Sequence, residues 1–212
     1  MGFIEELTKV LPHDLANREE VVAKTARHLE LIEEANHNFN LTRIMDPREA
    51  AIKHVLDSVV PWDLFASAKH VMDAGTGAGF PGIPLAVVLP GVRFTLAESI
   101  QKKARFVESA IDTLELPNAT LTSRRAEEVA GGQSVDIITA RALAPLHRAL
   151  ALFAPALKRG TRLLLYKGPD AEREILDSKH EARRRNVRMA IIKRYDLPES
   201  HGSRTIIEIQ RI

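Results

Sequence analysis

A glycine-rich segment, VMDAGTGAGFPGIPLAVVL, constrains the fold of this chain more than any other feature of its sequence. An apolar run with the character of a strand ends at Asp73, and Gly75, Gly77 and Gly79 follow before a helical pattern begins. Glycine lets the backbone turn sharply and approach a ligand that a Cβ atom would keep away. The segment therefore predicts the first strand, loop and helix of a Rossmann-like α/β fold, although a tight turn without a ligand would show the same glycines.

Strand-like and helical segments alternate after residue 69. Short apolar runs such as VRFTLAE, VDIITA and TRLLLYK are separated by segments of helical character. This alternation predicts a mostly parallel, seven-stranded sheet with helices on both faces. Near the end, VRMAIIKRYDL and SRTIIEIQRI are joined by PESHG, which is too short for a crossover helix. We therefore expect an antiparallel C-terminal hairpin at the sheet edge.

The N-terminal quarter of the chain is predicted to be helical. Apolar residues recur at helical spacing between positions 17 and 36, and Asp46-Pro47 is typical of an N-cap followed by proline at the first helical position. The helix that begins there should run through His54 and Leu56. We expect a helical extension over residues 1–66, packed on a Rossmann-like domain over residues 67–212.

Composition excludes several classes of protein. The 212 residues include no cysteine, so disulfides, thiolate metal sites and a cysteine nucleophile are ruled out, and no metal site is expected. The sequence has no basic, apolar leader and no run of about 18 apolar residues, which predicts a cytoplasmic protein without a membrane span. We expect a monomer.

Charge is distributed unevenly although the formal net charge is only +2. Between residues 179 and 194, Glu181 is the one acidic side chain among seven basic ones. These are Lys179, Arg183, Arg184, Arg185, Arg188, Lys193 and Arg194. The run permits a polyanionic partner, but a solvated helix face explains it equally well.

The residues around the glycines favour one cofactor over another. The next strand ends at Glu98, about twenty residues beyond Gly79, where an acidic side chain would bind a ribose diol. A nicotinamide site usually has the order G-x-G-x-x-G, whereas this chain has D-x-G-x-G-x-G. The carboxylate of Asp73 would repel a pyrophosphate, but it suits the ammonium and sulfonium of S-adenosylmethionine. We therefore expect S-adenosylmethionine, with a nicotinamide-dependent oxidoreductase as a less favoured alternative.

Two later segments could complete a cofactor site. Arg125-Ala126-Glu127 follows the third strand, where a backbone amide and a carboxylate could bind an adenine edge; an ordinary loop before a helix is the alternative. The fourth strand ends at Arg141, on the edge of the sheet where ligands of open α/β folds bind. An arginine there could hold a carboxylate or a phosphate.

Several blocks of residues together resemble the ribosomal RNA small-subunit methyltransferase G family, also called glucose-inhibited division protein B. The blocks, in order, are Asn40-Leu41-Thr42, His54-Val55-Leu56-Asp57-Ser58, the segment from Asp73 to Pro84, Glu98-Ser99 with Lys102-Lys103, Ala126-Glu127, Ala140-Arg141-Ala142 and Lys167-Gly168. Ala74 and Val59 depart from the residues common in relatives, but neither is a proposed contact. The Phe-Pro-Gly-Ile-Pro sequence that follows the glycines makes this resemblance specific.

The resemblance implies a class I S-adenosylmethionine-dependent enzyme that methylates N7 of one guanine in bacterial 16S ribosomal RNA, free or within the small subunit, and releases S-adenosylhomocysteine. The implied cofactor-binding residues are Asp73, Gly75, Gly77, Gly79, Phe80, Glu98, Ala126, Glu127 and Arg141. Phe80 could equally serve only as a core residue. The resemblance transfers no recognition residue to the C-terminal hairpin.

The chemistry of such a transfer requires little from the protein beyond alignment. Guanine N7 has an unshared electron pair, so no general base is expected and no catalytic residue is assigned. His54 and Asp57, three residues apart on one helix, could act as an acid–base pair, but packing or a structural hydrogen bond is the favoured interpretation. Candidate phosphate contacts are Lys102, Lys103, Arg124, Arg125, Lys167, Arg183, Arg184, Arg185 and Arg188.

Two other classes of function stay open at this stage. A small-molecule methyltransferase would share the cofactor site but would not depend on basic residues around the pocket. A non-catalytic RNA-binding factor could keep the fold without the transfer reaction. The intact glycine loop argues against the second of these.

Overall fold

A computed structural model describes residues 2–37 and 40–212 of the chain. Within these residues the strands form one seven-stranded sheet with the order β3-β2-β1-β4-β5-β7-β6. The strands are β1 His70–Ala74, β2 Arg93–Ala97, β3 Ala119–Thr122, β4 Ile137–Arg141, β5 Arg162–Lys167, β6 Val187–Asp196 and β7 Ser203–Arg211. The first five are mutually parallel, and β7 is antiparallel to both β5 and β6. The predicted parallel sheet with a C-terminal antiparallel hairpin is confirmed.

Helices surround this sheet. They are α1 Phe3–Val10, α2 Arg18–Asn36, α3 Pro47–Ala50, α4 Asp57–Val59, α5 Gly82–Val88, α6 Gln101–Thr113, α7 Ala126–Gly132, α8 Leu146–Leu152, α9 Ala154–Lys158 and α10 Ala171–Arg185. A π-helix, Ala51–Leu56, joins α3 to α4, and a short 3₁₀ turn covers Trp62–Leu64. No helix in the described part of the chain is long and apolar enough to cross a membrane.

The strands are apolar on both faces because the sheet is covered on both sides. Along β5, Leu163 and Leu165 pack into one core cluster, and Leu164 and Tyr166 pack into the other. One cluster joins the sheet to α1, α2, α5 and α6, and the other joins it to α7, α8, α9 and α10. Successive side chains of a strand point to opposite faces, so a strand buried on both sides is a continuous apolar run.

The N-terminal helices belong to the first of these clusters. Phe3, Leu7 and Val21 share it with Val71 and Phe94 of the sheet, so these helices and the sheet have one common core. The division into a helical extension and a main domain between residues 66 and 67 stays a prediction. Asp46 accepts a hydrogen bond from the Glu49 N–H at 2.8 Å, and Pro47 begins the helix, as the sequence predicts.

The sequence predicts that this helix runs through His54 and Leu56, and the chain is helical there. The sequence did not predict that the helix would widen into a π-helix over Ala51–Leu56. The N–H of Asp57 consequently donates to the carbonyl of Ile52, five residues back. The carbonyl of Lys53, which an α-helix would offer to Asp57, accepts instead from Arg141 at 2.8 Å. A hydrogen bond from the sheet therefore replaces one hydrogen bond of the α-helix, at a type of irregularity that is frequent near functional sites.

The two ends of the parallel strands define two edges of the sheet, and the difference between these edges matters for function. The carboxyl edge is the edge where β1 to β5 end, and the amino edge is the edge where these strands begin. Because β7 is antiparallel to β5, Thr205 lies beside Lys167 at the carboxyl edge. Arg211 pairs with Val187 at the amino edge.

Candidate functional site

The glycine loop folds around the side chain of Asp73, which is fully buried at the end of β1. One carboxylate oxygen, Oδ2, accepts from the Thr76 hydroxyl at 2.6 Å and from the Gly82 N–H at 2.8 Å. Burial raises the pKa of Asp73 to about 6, and these two hydrogen bonds oppose the shift. The other oxygen, Oδ1, is buried without a partner in the described residues. Asp73 therefore fixes the loop to the start of α5, and its predicted contact with a cofactor stays a prediction.

Glu98 fastens the opposite side of the loop. Its Oε2 accepts from the Gly77 N–H at 3.1 Å, and its Oε1 accepts from the Ile100 N–H at 2.8 Å. Gly75 and Gly77 have φ angles of +71° and +63°, which side chains other than glycine rarely adopt. No atom lies within 4 Å of the place that a Cβ on Gly77 would occupy. The loop is thus an open cradle with a carboxylate on its rim.

A cavity of about 320 Å³ lies over this cradle, and we call it the cradle cavity. Its lining includes Gly75, Glu98, Arg125, Ala126 and Glu127. Ends of neighbouring strands produce this grouping, because β1, β2 and β3 all finish at the carboxyl edge. Arg124 also lines this cavity, so six residues that the sequence proposes for cofactor or RNA binding line one pocket.

A second and larger cavity, of about 700 Å³, lies further along the same edge. We call it the arginine cavity. It is lined by Ile44, Lys53, His54, Asp57, Arg141, Ala142, Leu143, Ala144, Pro145, Tyr166, Lys167, Gly168, Glu174 and Arg204. Four of these side chains are cationic and two are carboxylates, so the cavity presents net positive charge.

Asp57 organises the wall of the arginine cavity. Its Oδ2 accepts from Arg141 Nη1 at 3.1 Å and from Arg204 Nε at 3.2 Å. Its Oδ1 accepts from the Tyr195 hydroxyl at 3.0 Å. The Asp57 side chain is 2% exposed, whereas those of Arg141 and Arg204 are 19% and 23% exposed. Both guanidinium groups therefore keep access to the cavity while one buried carboxylate orients them.

Phe80 packs between two histidines of the N-terminal helices and Arg141 at the end of β4. Its ring stacks on His54 with a centroid separation of 4.6 Å, and the Arg141 guanidinium lies 5.4 Å from its centroid. His28 approaches the same ring at 4.8 Å. Phe80 is only 5% exposed, so the structure uses it as a packing platform for these groups. Its predicted contact with the cofactor stays a prediction.

Both histidines near Phe80 are weak bases. Burial lowers the pKa of His28 to about 4, and burial followed by the charge of Arg141 lowers the pKa of His54 to about 3. His28 Nε2 pairs with the Ala78 carbonyl at 2.8 Å, and His54 Nε2 pairs with the Thr42 hydroxyl at 3.0 Å. A neutral, hydrogen-bonded His54 is poorly suited to remove a proton near neutral pH.

Leu143 separates the two cavities because it lines both of them. A Cβ on Gly75 would lie 2.8 Å from Leu143 Cδ1, so this side chain packs directly over the glycine backbone. The preceding residue, Ala142, has a φ of +55°, which turns the chain sharply after Arg141. A group held in the cradle and a group held in the arginine cavity would meet at Leu143.

Comparison with known sequences decides the family. Residues 21–202 match the sequence model described as GidB, rRNA small subunit methyltransferase G. The chain is 59% identical over 210 residues to the ribosomal RNA small subunit methyltransferase G of Solibacter usitatus, covering 99% of this chain and all of that protein. The chain belongs to the rRNA small subunit methyltransferase G family. The predicted family and reaction class, methyl transfer, are confirmed.

Other similarities agree with this family assignment. The protein of the same name from Lactobacillus johnsonii is 31% identical and covers 99% of this chain and 90% of its own length. Among solved structures, the chain resembles a SAM-dependent O-methyltransferase from Thermotoga maritima, with a TM-score of 0.55 and 19% identity. The match covers 86% of this chain and 71% of that protein. A cofactor-bound protein from MTB matches with a TM-score of 0.62, 17% identity and 89% coverage of both chains. These two structures support the fold alone.

The basic residues predicted for RNA contact fall into separate regions of this family member. Arg125 lines the cradle cavity, and Lys102 and Lys103 lie in the first turn of α6 at the same edge. Lys167 lines the arginine cavity, but its Nζ already donates to Glu174 at 2.7 Å and to the Ala144 carbonyl at 2.8 Å. The cluster over residues 183–188 lies at the amino edge, away from both cavities. The structure therefore does not bring all the predicted RNA contacts together.

Sequence reasoning missed several residues that shape the site. Three of them line the cavities, namely Lys53, Leu143 and Arg204, and a fourth, Tyr195, contacts Asp57. None of the four belongs to a sequence motif, although some lie close to the blocks that match the family. Asp57 lies within a matched block, but spacing alone suggested pairing with His54. Its partners instead come from strands that follow it by 84 to 147 residues. Within the described residues no cluster of metal-binding side chains occurs.

Proposed function

We propose that this chain transfers a methyl group from S-adenosylmethionine to N7 of a single guanine in 16S ribosomal RNA. The observation that carries the proposal is the junction, at Leu143, of a cofactor-sized glycine cradle and a cationic cavity. Pockets of a few hundred Å³ are typical for small ligands. The name shared by the relatives supports ribosomal RNA of the small subunit as the acceptor.

The residues around the cradle fit the proposed methyl donor. The space beside Gly77 admits a ligand where a Cβ would project, and each Glu98 oxygen has a further lone pair for a ribose hydroxyl. Ala126 and Glu127, which line the cradle cavity, would bind the adenine edge. Arg141, which lines the arginine cavity on the other side of Leu143, would hold the methionine carboxylate. When bound, S-adenosylmethionine supplies an electrophilic methyl group on a sulfonium.

The remaining residues would position the acceptor. Arg204, oriented by Asp57, keeps Nη2 without a protein partner in the described residues and would bind the phosphate of the nucleotide that enters the arginine cavity. Leu143, which lines both cavities, would be covered at their junction when cofactor and nucleotide are bound. Guanine N7 needs no deprotonation, which agrees with the low pKa of His54 in the lining of the arginine cavity. Alignment in a desolvated site would provide most of the catalysis.

The test is a labelled-methyl assay with small ribosomal subunits from a strain that lacks the modification. After nuclease digestion, mass analysis of the labelled nucleoside should give N7-methylguanosine from one site. Gly77→Asp, which adds a carboxylate beside Glu98 at a φ of +63°, should abolish cofactor binding in calorimetry. The matched control is Gly91→Asp, where the new Cβ meets no atom within 4 Å and cofactor binding should persist.

Two results would overturn the assignment. Cofactor binding by the wild type without label in RNA would favour a small-molecule acceptor. Equal cofactor affinity in Gly77→Asp and wild type would remove the cofactor from the glycine cradle.

A further inference from the structure

The amino edge of the sheet, opposite both cavities, carries a group of basic side chains that we call the distal basic surface. It consists of Lys158, Arg159, Arg183, Arg184, Arg185, Arg188 and Arg211. The elements that carry these residues, which are α9 with the turn after it, α10, β6 and β7, lie next to one another at this edge. Val187 pairs with Arg211, Arg211 Nη1 donates to the Lys158 carbonyl at 3.0 Å, and Ile212 N donates to the Asn186 carbonyl at 3.1 Å.

Few acidic groups neutralise this surface. Glu181 pairs with Arg185 at 2.6 Å and with Arg184 at 3.4 Å. Arg183 and Arg188 are exposed and have no ion pair within the described residues. The rest of the chain has more Asp and Glu than Lys and Arg, so the positive charge of the molecule is concentrated here and around the cavities.

Ordinary structural causes account for part of this cluster only. Cations in the last turn of α10 interact favourably with the helix dipole, which explains Arg183 to Arg185. Strands have little net dipole, so Arg188 on β6 and Arg211 on β7 have no such reason to lie at this edge. Guanidinium groups gathered from helix and strands suit a polyphosphate partner, because each can form two parallel hydrogen bonds to a phosphate.

The distal basic surface is too far from the arginine cavity to contact the same nucleotide. Tyr195 reaches the cavity wall through its hydrogen bond to Asp57, and Arg188 lies seven residues earlier on β6. At about 3.3 Å per residue, the two positions are about 23 Å apart along the strand. An RNA that contacts both must extend across the whole depth of the sheet.

We propose that the distal basic surface binds the phosphate backbone of an RNA segment separate from the segment that carries the target guanine. This inference rests on the proposed function, because it assumes an RNA acceptor in the arginine cavity. Recognition is then bipartite: the carboxyl edge holds the reacting nucleotide, and the amino edge holds a second part of the folded RNA. A short hairpin with the target guanine would reach only the first of these.

The experiment compares wild type with the triple variant Arg183→Ala, Arg184→Ala, Arg188→Ala. Each lost phosphate contact lowers the slope of log affinity against log salt by about 0.7 to 0.9, so the variant should lose about 2 to 3 units of slope on 16S ribosomal RNA. The KM for small subunits at 0.15 M salt should rise at least about tenfold, with kcat nearly unchanged. Methylation of a short hairpin and calorimetric cofactor affinity should match wild type.

Two controls separate this effect from general charge loss or misfolding. The variant Lys9→Ala, Lys24→Ala, Arg27→Ala removes the same charge from α1 and α2 and should keep the wild-type slope. Arg183→Lys, Arg184→Lys, Arg188→Lys keeps the charge and should retain most of the affinity. Cofactor binding by all variants verifies folding.

The possible results are distinguishable. A wild-type salt slope in the triple Ala variant, or an equal loss on the short hairpin, would overturn the proposal. A loss seen with intact subunits but not with protein-free 16S ribosomal RNA would assign the surface to a ribosomal protein and also overturn it. If wild type methylates no RNA at all, the proposed function fails instead, and the binding slope still tests this surface.

Discussion

Replacing Asp57 by Asn should strongly destabilise the protein, although the two side chains have nearly the same volume. The change keeps the volume of the side chain but removes the charge that orients Arg141 and Arg204. The new amide group also offers a donor where a guanidinium or the Tyr195 hydroxyl already donates. Asp57 is 2% exposed, so water cannot replace the lost interactions at the carboxylate.

The magnitude of the loss in stability follows from the burial of Asp57 and of the two arginines that it pairs with. Removing one member of a buried ion pair costs about 3 to 5 kcal/mol. The guanidinium groups of Arg141 and Arg204 are about one-fifth exposed, so solvent should offset part of the loss, and we expect about 3 kcal/mol. For a chain of this size, that corresponds to a fall in Tm of about 6 to 12 °C.

Thermal unfolding followed by circular dichroism measures this effect, and Asp63→Asn is the matched control. Asp63 also makes an ion pair, with Lys193 at 2.5 Å, but its side chain is 52% exposed. An exposed pair contributes about 0 to 1 kcal/mol, so the control should change Tm by only a few degrees. Equal Tm values for the two variants would refute the role of Asp57 as the organising charge of the cavity wall.

Two further predictions concern the buried groups of the site. Gly82→Ala places a Cβ 2.7 Å from Asp73 Oδ2, so urea unfolding should show a loss of about 1 to 3 kcal/mol, whereas Gly91→Ala, with nothing within 4 Å, should stay near wild type; similar losses would contradict this. Burial holds the pKa of His28 at about 4 and that of His54 at about 3 in the folded chain, below the ordinary value of 6.5. As the pH falls from 7 to 5, protons bind these two histidines mainly in the unfolded state, so each histidine lowers the free energy of unfolding by about 2 kcal/mol. The pKa of Asp73, raised to about 6, works in the opposite direction and returns about 1 kcal/mol between pH 7 and pH 5. The free energy of unfolding measured with urea should therefore fall by a net of about 2 to 3 kcal/mol between these pH values, and an unchanged value would contradict these pKa shifts.

Local sequence patterns predicted most of the architecture. The glycine loop, the N-cap at Asp46 and the apolar strand runs each depend on residues close together in the chain, so their conformations can be inferred from spacing alone. The C-terminal hairpin was predictable because five residues leave no length for a crossover helix. Family blocks then identified residues at the ends of strands, where parallel topology brings them to one edge.

The wall of the arginine cavity depended on tertiary structure. Asp57 meets Arg141, Tyr195 and Arg204 only because strand order places β4, β6 and β7 beside the N-terminal helices. The π-helix at Lys53 is part of the same arrangement, because its freed carbonyl binds Arg141. No local pattern encodes contacts between residues that are 84 to 147 positions apart.

In the basic run over residues 179–194, too, the sequence determined one part of the outcome and the tertiary structure determined another. Its composition was visible in the sequence, and so was the possibility of a polyanionic partner. The direction of β6 decided that Arg188 lies at the amino edge while Lys193 and Arg194 lie near the carboxyl edge. Sequence thus determined the local elements and the chemistry available to them, whereas strand order and direction determined which charges face the same ligand, because only packing sets the distances between elements.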